Sequence, residues 1–217
     1  FSSASARSAN SPFARSDMVN MQDGGQVVDW LAESGSDSVL MTRSFGGQFT
    51  TGNLLGSSKQ GVGIERVNTA TLERTLTEPA REDVVAYFSD QRGNLRVMAQ
   101  RPKTNAGYST TQVRFSYRLK DKKSWVPLTT YDDSTHVGVS IAAVDPDLDA
   151  AYAFEWINGH QAVSRIALDG SQKREVLVAR DDADVDQLIR IGRQHRVVGA
   201  SFATERRETA VIAPHAG

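Results

Sequence analysis

Val84-Val85-Ala86-Tyr87-Phe88, Asp90-Gln91-Arg92-Gly93 and Leu95-Arg96-Val97-Met98 read in order as an apolar run, a polar turn and a second apolar run. That is the pattern of a β-hairpin, in which two strands rich in β-branched and aromatic residues flank a short connection. Gly93 and Asn94 tolerate the positive φ that a tight turn requires. The layout recurs three times. It returns at Val28-Asp29-Trp30-Leu31, Ser36-Asp37 and Val39-Leu40-Met41; at Ile141-Ala142-Ala143-Val144, residues 145–149 and Ala151-Tyr152-Ala153-Phe154; and at Leu188-Ile189-Arg190-Ile191, Gln194-His195 and Val197-Val198-Gly199-Ala200. In the hairpin of residues 141–154 Pro146 presets φ for a turn opening at Asp145. No long stretch carries the 3.6-residue period of a helix, so the sequence predicts an all-β protein.

Two more strand-like runs follow each of the first three hairpins. They are Gly63-Ile64-Glu65-Arg66-Val67 with residues 72–77; Val113-Arg114-Phe115-Ser116-Tyr117-Arg118 with Trp125-Val126-Pro127-Leu128; and residues 162–168 with Glu175-Val176-Leu177-Val178. Val113, Phe115 and Tyr117 alternate as a strand with one buried face does. Leu168-Asp169-Gly170-Ser171 is a strong turn signal between the last pair. Four strands repeating at about 47 to 57 residues is the pattern of β-propeller blades, near the spacing of kelch-type repeats. The expected fold is therefore a partial propeller of about three to four four-stranded blades over residues 27–208. A two-sheet β-sandwich built from the same strands is the alternative. An arc that stops in its fourth blade leaves a sheet edge exposed, which predicts further chain beyond it.

Residues 1–26, rich in Ser, Ala, Asn and Gly, read as a flexible N-terminal arm. The start at Phe1, without an apolar signal core, suggests that an upstream segment has been removed. The 217 residues are enough to bury a full core as one domain or two small ones. With no cysteine there is neither a disulfide framework nor a thiolate nucleophile. A net charge of -1, with the two signs interspersed, argues against a nucleic-acid partner. No apolar run approaches the roughly 20 residues of a membrane helix, so no membrane partner is expected either. Oligomerisation is left open.

Few residues invite a chemical reading. Gly199-Ala200-Ser201-Phe202-Ala203 and Gly138-Val139-Ser140-Ile141-Ala142 approach the nucleophile-elbow motif, but both lack its second glycine and read as strands. His136, His160, His195 and His215 form no chelating pair, and Asp181, Asp182, Asp184 and Asp186 lack the glycine and terminal Glu of a calcium loop. Neither a metal nor another cofactor is expected. Gly61-Val62-Gly63 precedes a strand, where a dinucleotide fingerprint needs a helix. Trp30, Trp125 and Trp156 read as packing between blades. A carbohydrate-binding sandwich would need an aromatic platform, whereas aromatic residues make up only 7% of the chain and do not cluster in the sequence.

Three stretches, residues 87–98, residues 143–152 and residues 186–201, resemble the N-terminal propeller of bacterial serine peptidases of the prolyl oligopeptidase family, in the acylaminoacyl-peptidase and dipeptidyl-peptidase-like branch. The resemblance runs over about residues 27–207. It implies a propeller that gates access of short peptides to a C-terminal α/β-hydrolase domain, whose catalytic triad lies outside these residues. Residues 209–217 resemble the strand and His-Gly-Gly turn that open that hydrolase domain, which makes His215, Ala216 and Gly217 oxyanion-hole candidates. Ala216 stands where the family has glycine, and the segment arrives early, so a stretch of chain between about Glu208 and Thr209 is absent or the match is fortuitous. The branch is often exported, which implies a periplasmic or secreted protein, with the cytoplasm as the alternative. The competing functional reading is a stand-alone periplasmic propeller that binds a partner protein.

Overall fold

In the computed structural model the described residues are 25–32, 35–45 and 60–212. They contain fifteen strands and no helix. The strands are β1 (Val27–Asp29), β2 (Ser38–Phe45), β3 (Gly61–Asn68), β4 (Arg74–Arg81), β5 (Val84–Ser89), β6 (Leu95–Gln100), β7 (Gln112–Tyr117), β8 (Val126–Asp132), β9 (Val139–Asp145), β10 (Ala150–Ile157), β11 (His160–Ala167), β12 (Arg174–Val178), β13 (Val185–Ile191), β14 (Arg196–Ala203) and β15 (Arg207–Val211). They form four sheets of orders β1-β2-β3-β4, β5-β6-β7-β8, β9-β10-β11-β12 and β13-β14-β15. The registered neighbours pair antiparallel, so each sheet is a meander in chain order. The all-β expectation holds, and the four-strand repeat holds in three of the sheets, the fourth having three strands among the described residues.

The chain divides into two compact units, Phe1–Val27 with Ser38–Glu82, and Val28–Asp37 with Asp83–Gly217. In the first, β3 pairs with β2 and β4, and Glu65, only 4% exposed, receives Arg43 Nη1 at 2.7 Å and Arg74 Nη1 at 3.2 Å. Pro79 sits in β4, an edge strand, where a missing N–H breaks no ladder. Pro127 occupies the same kind of position in β8.

The second unit stacks its sheets through two apolar layers. One joins β5–β8 to β9–β12 through Val97, Val113, Phe115, Tyr117, Ile141, Ala151 and Ile166; the other joins β9–β12 to β13–β15 through Tyr152, Val163, Val185, Leu188 and Ala200. Strand β10 serves both layers, so Ala150, Ala151, Tyr152 and Ala153 are all buried and the half-buried alternation seen in β7 vanishes. Burial and the neighbouring Asp145 carboxylate push the Tyr152 phenol up to about 12, and its hydroxyl donates to Asp145 Oδ2 at 3.3 Å.

Turn carboxylates close the hairpins that open the first three sheets. Asp29, fully buried, accepts the Leu31 N–H on Oδ1 and the Gly93 N–H on Oδ2. Gly93 takes φ +93, which suits glycine, and a Cβ there would also press Leu31. Asp90 accepts the N–H groups of Arg92 and Asn94, and Asp145 those of Asp147 and Leu148. Between the second and third hairpins, Arg92 Nη2 meets Asp147 at 2.6 Å, and buried Arg96 donates to Asp149 Oδ1 at 2.6 Å and to the Arg118 carbonyl at 3.0 Å. Removing one partner of a buried pair strands the other charge, at a cost of about 3–5 kcal/mol. Arg96→Ala is therefore expected to destabilise the protein by that amount, whereas Arg92→Ala, at a half-exposed pair, costs less than about 1 kcal/mol; urea denaturation of both variants checks the contrast.

Candidate functional site

In an antiparallel meander successive connections alternate between the two ends of a sheet. The hairpin tips at residues 90–94 and 146–149 mark one end of the second unit. The β8–β9, β10–β11 and β12–β13 connections therefore lie at the other, and their side chains meet there. Asp132 builds the first connection by accepting the Ser134 hydroxyl at 2.6 Å, the Ser134 N–H at 2.9 Å and the Thr135 N–H at 3.2 Å. These donors, the Ser134 hydroxyl foremost, hold its carboxyl at about 2. An ion pair between Arg101 and Asp133 ties down the same turn. It presents His136 at φ +58, with Nδ1 3.0 Å from the Tyr131 hydroxyl and the ring centroid 5.1 Å from that of Trp156. Val137 beside it is exposed. In the β12–β13 connection, Asp184 accepts the Gln161 N–H at 2.9 Å and lies 3.1 Å from His160 Nδ1.

Below this rim an open depression of about 430 Å³ is lined by Phe154, Asp186, Gln187, Leu188 and Arg190. Two β-bulges shape it, as bulges often re-aim side chains next to sites. In β9 the register steps from Tyr152↔Ala143 to Ala153↔Ile141, leaving Ala142 as the extra residue, and Arg190 Nη2 donates to its carbonyl at 2.8 Å. In β13 it steps from Val185↔Phe202 to Gln187↔Ser201, leaving Asp186 as the extra residue. Asp186 pairs with Arg207 Nη2 at 2.9 Å and accepts the Ser201 hydroxyl at 2.9 Å; the arginine first, then the serine, holds its carboxyl below the usual carboxylate range. Trp156 lies two residues beyond Phe154 on the same face of β10, at the rim.

Ser201 and Ser140 lie in strands β14 and β9, and Ser201 is bonded to Asp186 and Arg207, not to a histidine. The acidic run forms a turn in which Asp182 pairs with Arg180 and each of Asp184 and Asp186 has its own partner; among the described residues there is no metal-ligating group of three. Two of the tryptophans, Trp30 and Trp156, differ from the packing role expected of them, whereas Trp125 packs 6.3 Å from the buried Tyr87 ring. Trp30 is 56% exposed, Trp156 38%, and Trp125 is half-buried beneath the Arg118 guanidinium at 3.9 Å. Each stands at or just beyond a strand end. His215, Ala216 and Gly217 lie outside the described residues.

Sequence reading missed the His136–Trp156–Tyr131 cluster, the His160–Asp184 pair and Arg190. The parity of the connections would have put the first two at one end, but their contacts depend on how adjacent sheets stack. Compared with protein-family models, with curated proteins and with solved structures, the chain gives no match.

Chemically, the arrangement offers two aromatic faces, guanidinium donors and a neutralised carboxylate around an open hollow, a set suited to binding. The Asp186–Arg207 contact makes a titratable prediction. In Arg207→Ala the Asp186 carboxyl is expected to titrate closer to the ordinary value of about 3.9. Because the folded-state pKa is depressed, its stabilising effect is present above that ordinary value and is lost as pH falls through the lowered one. The variant thus loses less stability than the parent on acidification below about pH 4, which carboxyl NMR and denaturation at graded pH measure.

Proposed function

We propose that the chain supplies blades of a β-propeller that, joined to an α/β-hydrolase domain, forms a serine peptidase resembling the prolyl oligopeptidase family, and that its role is to admit and hold short peptides. Three observations support this. Successive sheets repeat as meanders in chain order, as blades do. The second and third hairpins are tied at their tips by Arg92 to Asp147 and Arg96 to Asp149. The observation that carries the peptide reading is the depression beside β13, an edge strand of its sheet, where Phe154 offers an apolar wall and Arg190 is fixed by the Ala142 carbonyl with further N–H donors at hand. A peptide presents the complementary set: apolar side chains for Phe154 and Trp156, carbonyl and carboxylate oxygens for the guanidinium. Size exclusion by the propeller then limits what reaches the hydrolase.

Titration of the protein with short unblocked peptides, followed by NMR, tests the reading. Saturable shifts are expected at Phe154, Trp156 and His136, and Arg190→Ala is expected to weaken binding by about tenfold, the worth of one charge-assisted hydrogen bond. If short peptides leave those resonances unmoved, the peptide role fails; a response only to a folded partner protein would favour a scaffold.

A further inference from the structure

Strands β10 and β11 carry two buried side chains with polar atoms that no group of the described protein satisfies. Ser164 is fully buried and its Oγ has no hydrogen-bond partner. Glu155 is 7% exposed; its Oε2 lies 3.2 Å from Arg174 Nη1, but its Oε1 has no partner. The register brings the two together. β10 and β11 pair Glu155 with Ala162 and Ala153 with Ser164, so Glu155 and Ser164 share one face of the sheet, a single diagonal step apart. Diagonal neighbours have Cα atoms about 7–8 Å apart and Cβ atoms somewhat closer, within reach of a long side chain. That face is the one that carries Ala151, Ala153 and Ile166 against sheet β5–β8.

A carboxylate oxygen only accepts, and a hydroxyl both donates and accepts. A direct Ser164–Glu155 hydrogen bond is absent, yet buried polar groups are rarely left unpaired, and internal waters commonly satisfy them. A water held between two oxygens spans about 5.5 Å, so it can join two groups too far apart for a direct bond. The ligand need carry no charge, because Arg174, half exposed on edge strand β12, already balances Glu155. We propose that a single water molecule is bound between sheets β5–β8 and β9–β12, donating to Glu155 Oε1 and accepting from the Ser164 hydroxyl, with Arg174 on its solvent side.

Ser164→Ala separates this from an empty gap by the sign of its effect. With the water in place, the substitution removes one of its partners, and the thermal midpoint is expected to fall by about 2–4 °C. If the hydroxyl is truly orphaned, alanine relieves a buried unpaired group and the midpoint rises, which overturns the proposal. A high-resolution crystal structure of the unmodified protein provides the second measurement. A density peak within about 3 Å of both oxygens is the expected result. An empty gap, or a direct bond between the two side chains, overturns the proposal whatever the melting temperature does.

Discussion

Arg96 is the residue on which the second unit most depends. Its guanidinium, buried at the start of β6, holds the Arg118 carbonyl of its own sheet and the Asp149 carboxylate of the next. Asp149 in turn accepts the Leu168 N–H on its backbone carbonyl at 2.7 Å, so one buried contact fixes two hairpins and the end of β11. Apolar layers alone would let neighbouring sheets slide, since hydrophobic contact has no preferred direction. The contact of Arg96 with Asp149 sets the stacking of sheet β5–β8 against β9–β12. In the second and third hairpins the two jobs fall to different carboxylates: Asp90 and Asp145 close the turns, while Asp147 and Asp149 receive the arginines of the neighbouring hairpin.

The joint between sheets β9–β12 and β13–β15 is held differently, and the difference makes the hollow. Here Arg190 reaches a carbonyl that a bulge has released, and Asp184 reaches the Gln161 N–H at the far end. Asp186, the other bulge residue, is drawn towards Arg207 and Ser201. With side chains spent on tying bulges, the space between β10 and β13 is lined by Phe154 and Leu188 and opens under the Trp156 rim. The local irregularity of two strands thus accompanies the open hollow between the sheets of the second unit.

Much of this fold was legible. Val113, Phe115 and Tyr117 announce a strand because burial on one face imposes a period of two, and the positions of Asp90, Gly93 and Pro146 follow from turn geometry. Strand β10 was harder, because burial on both faces erases the period, yet its β-rich run and flanking turns still marked it. The site was much less visible. A bulge such as that at Ala142 leaves no sequence mark, and Trp156 looks like core until its place at a strand end is known. His136 and Trp156 are twenty positions apart in sequence and adjacent only because two connections share an end. The division at residues 27–28 and 82–83 also has no compositional sign, since it falls within β1 and in the short link between β4 and β5.

Native-state hydrogen exchange followed by NMR tests the central claim most directly, because it reads the Gly93 amide, the Arg96 Nε–H and the backbone amides of Val97 and Ala151 in one experiment. If the Arg96 contact welds sheets β5–β8 and β9–β12 into one body, Gly93 and Arg96 exchange only through the opening that also releases Val97 and Ala151, with a common free energy. Exchange of Gly93 and Arg96 through a separate opening of much lower free energy, with the core strands still protected, would contradict the account.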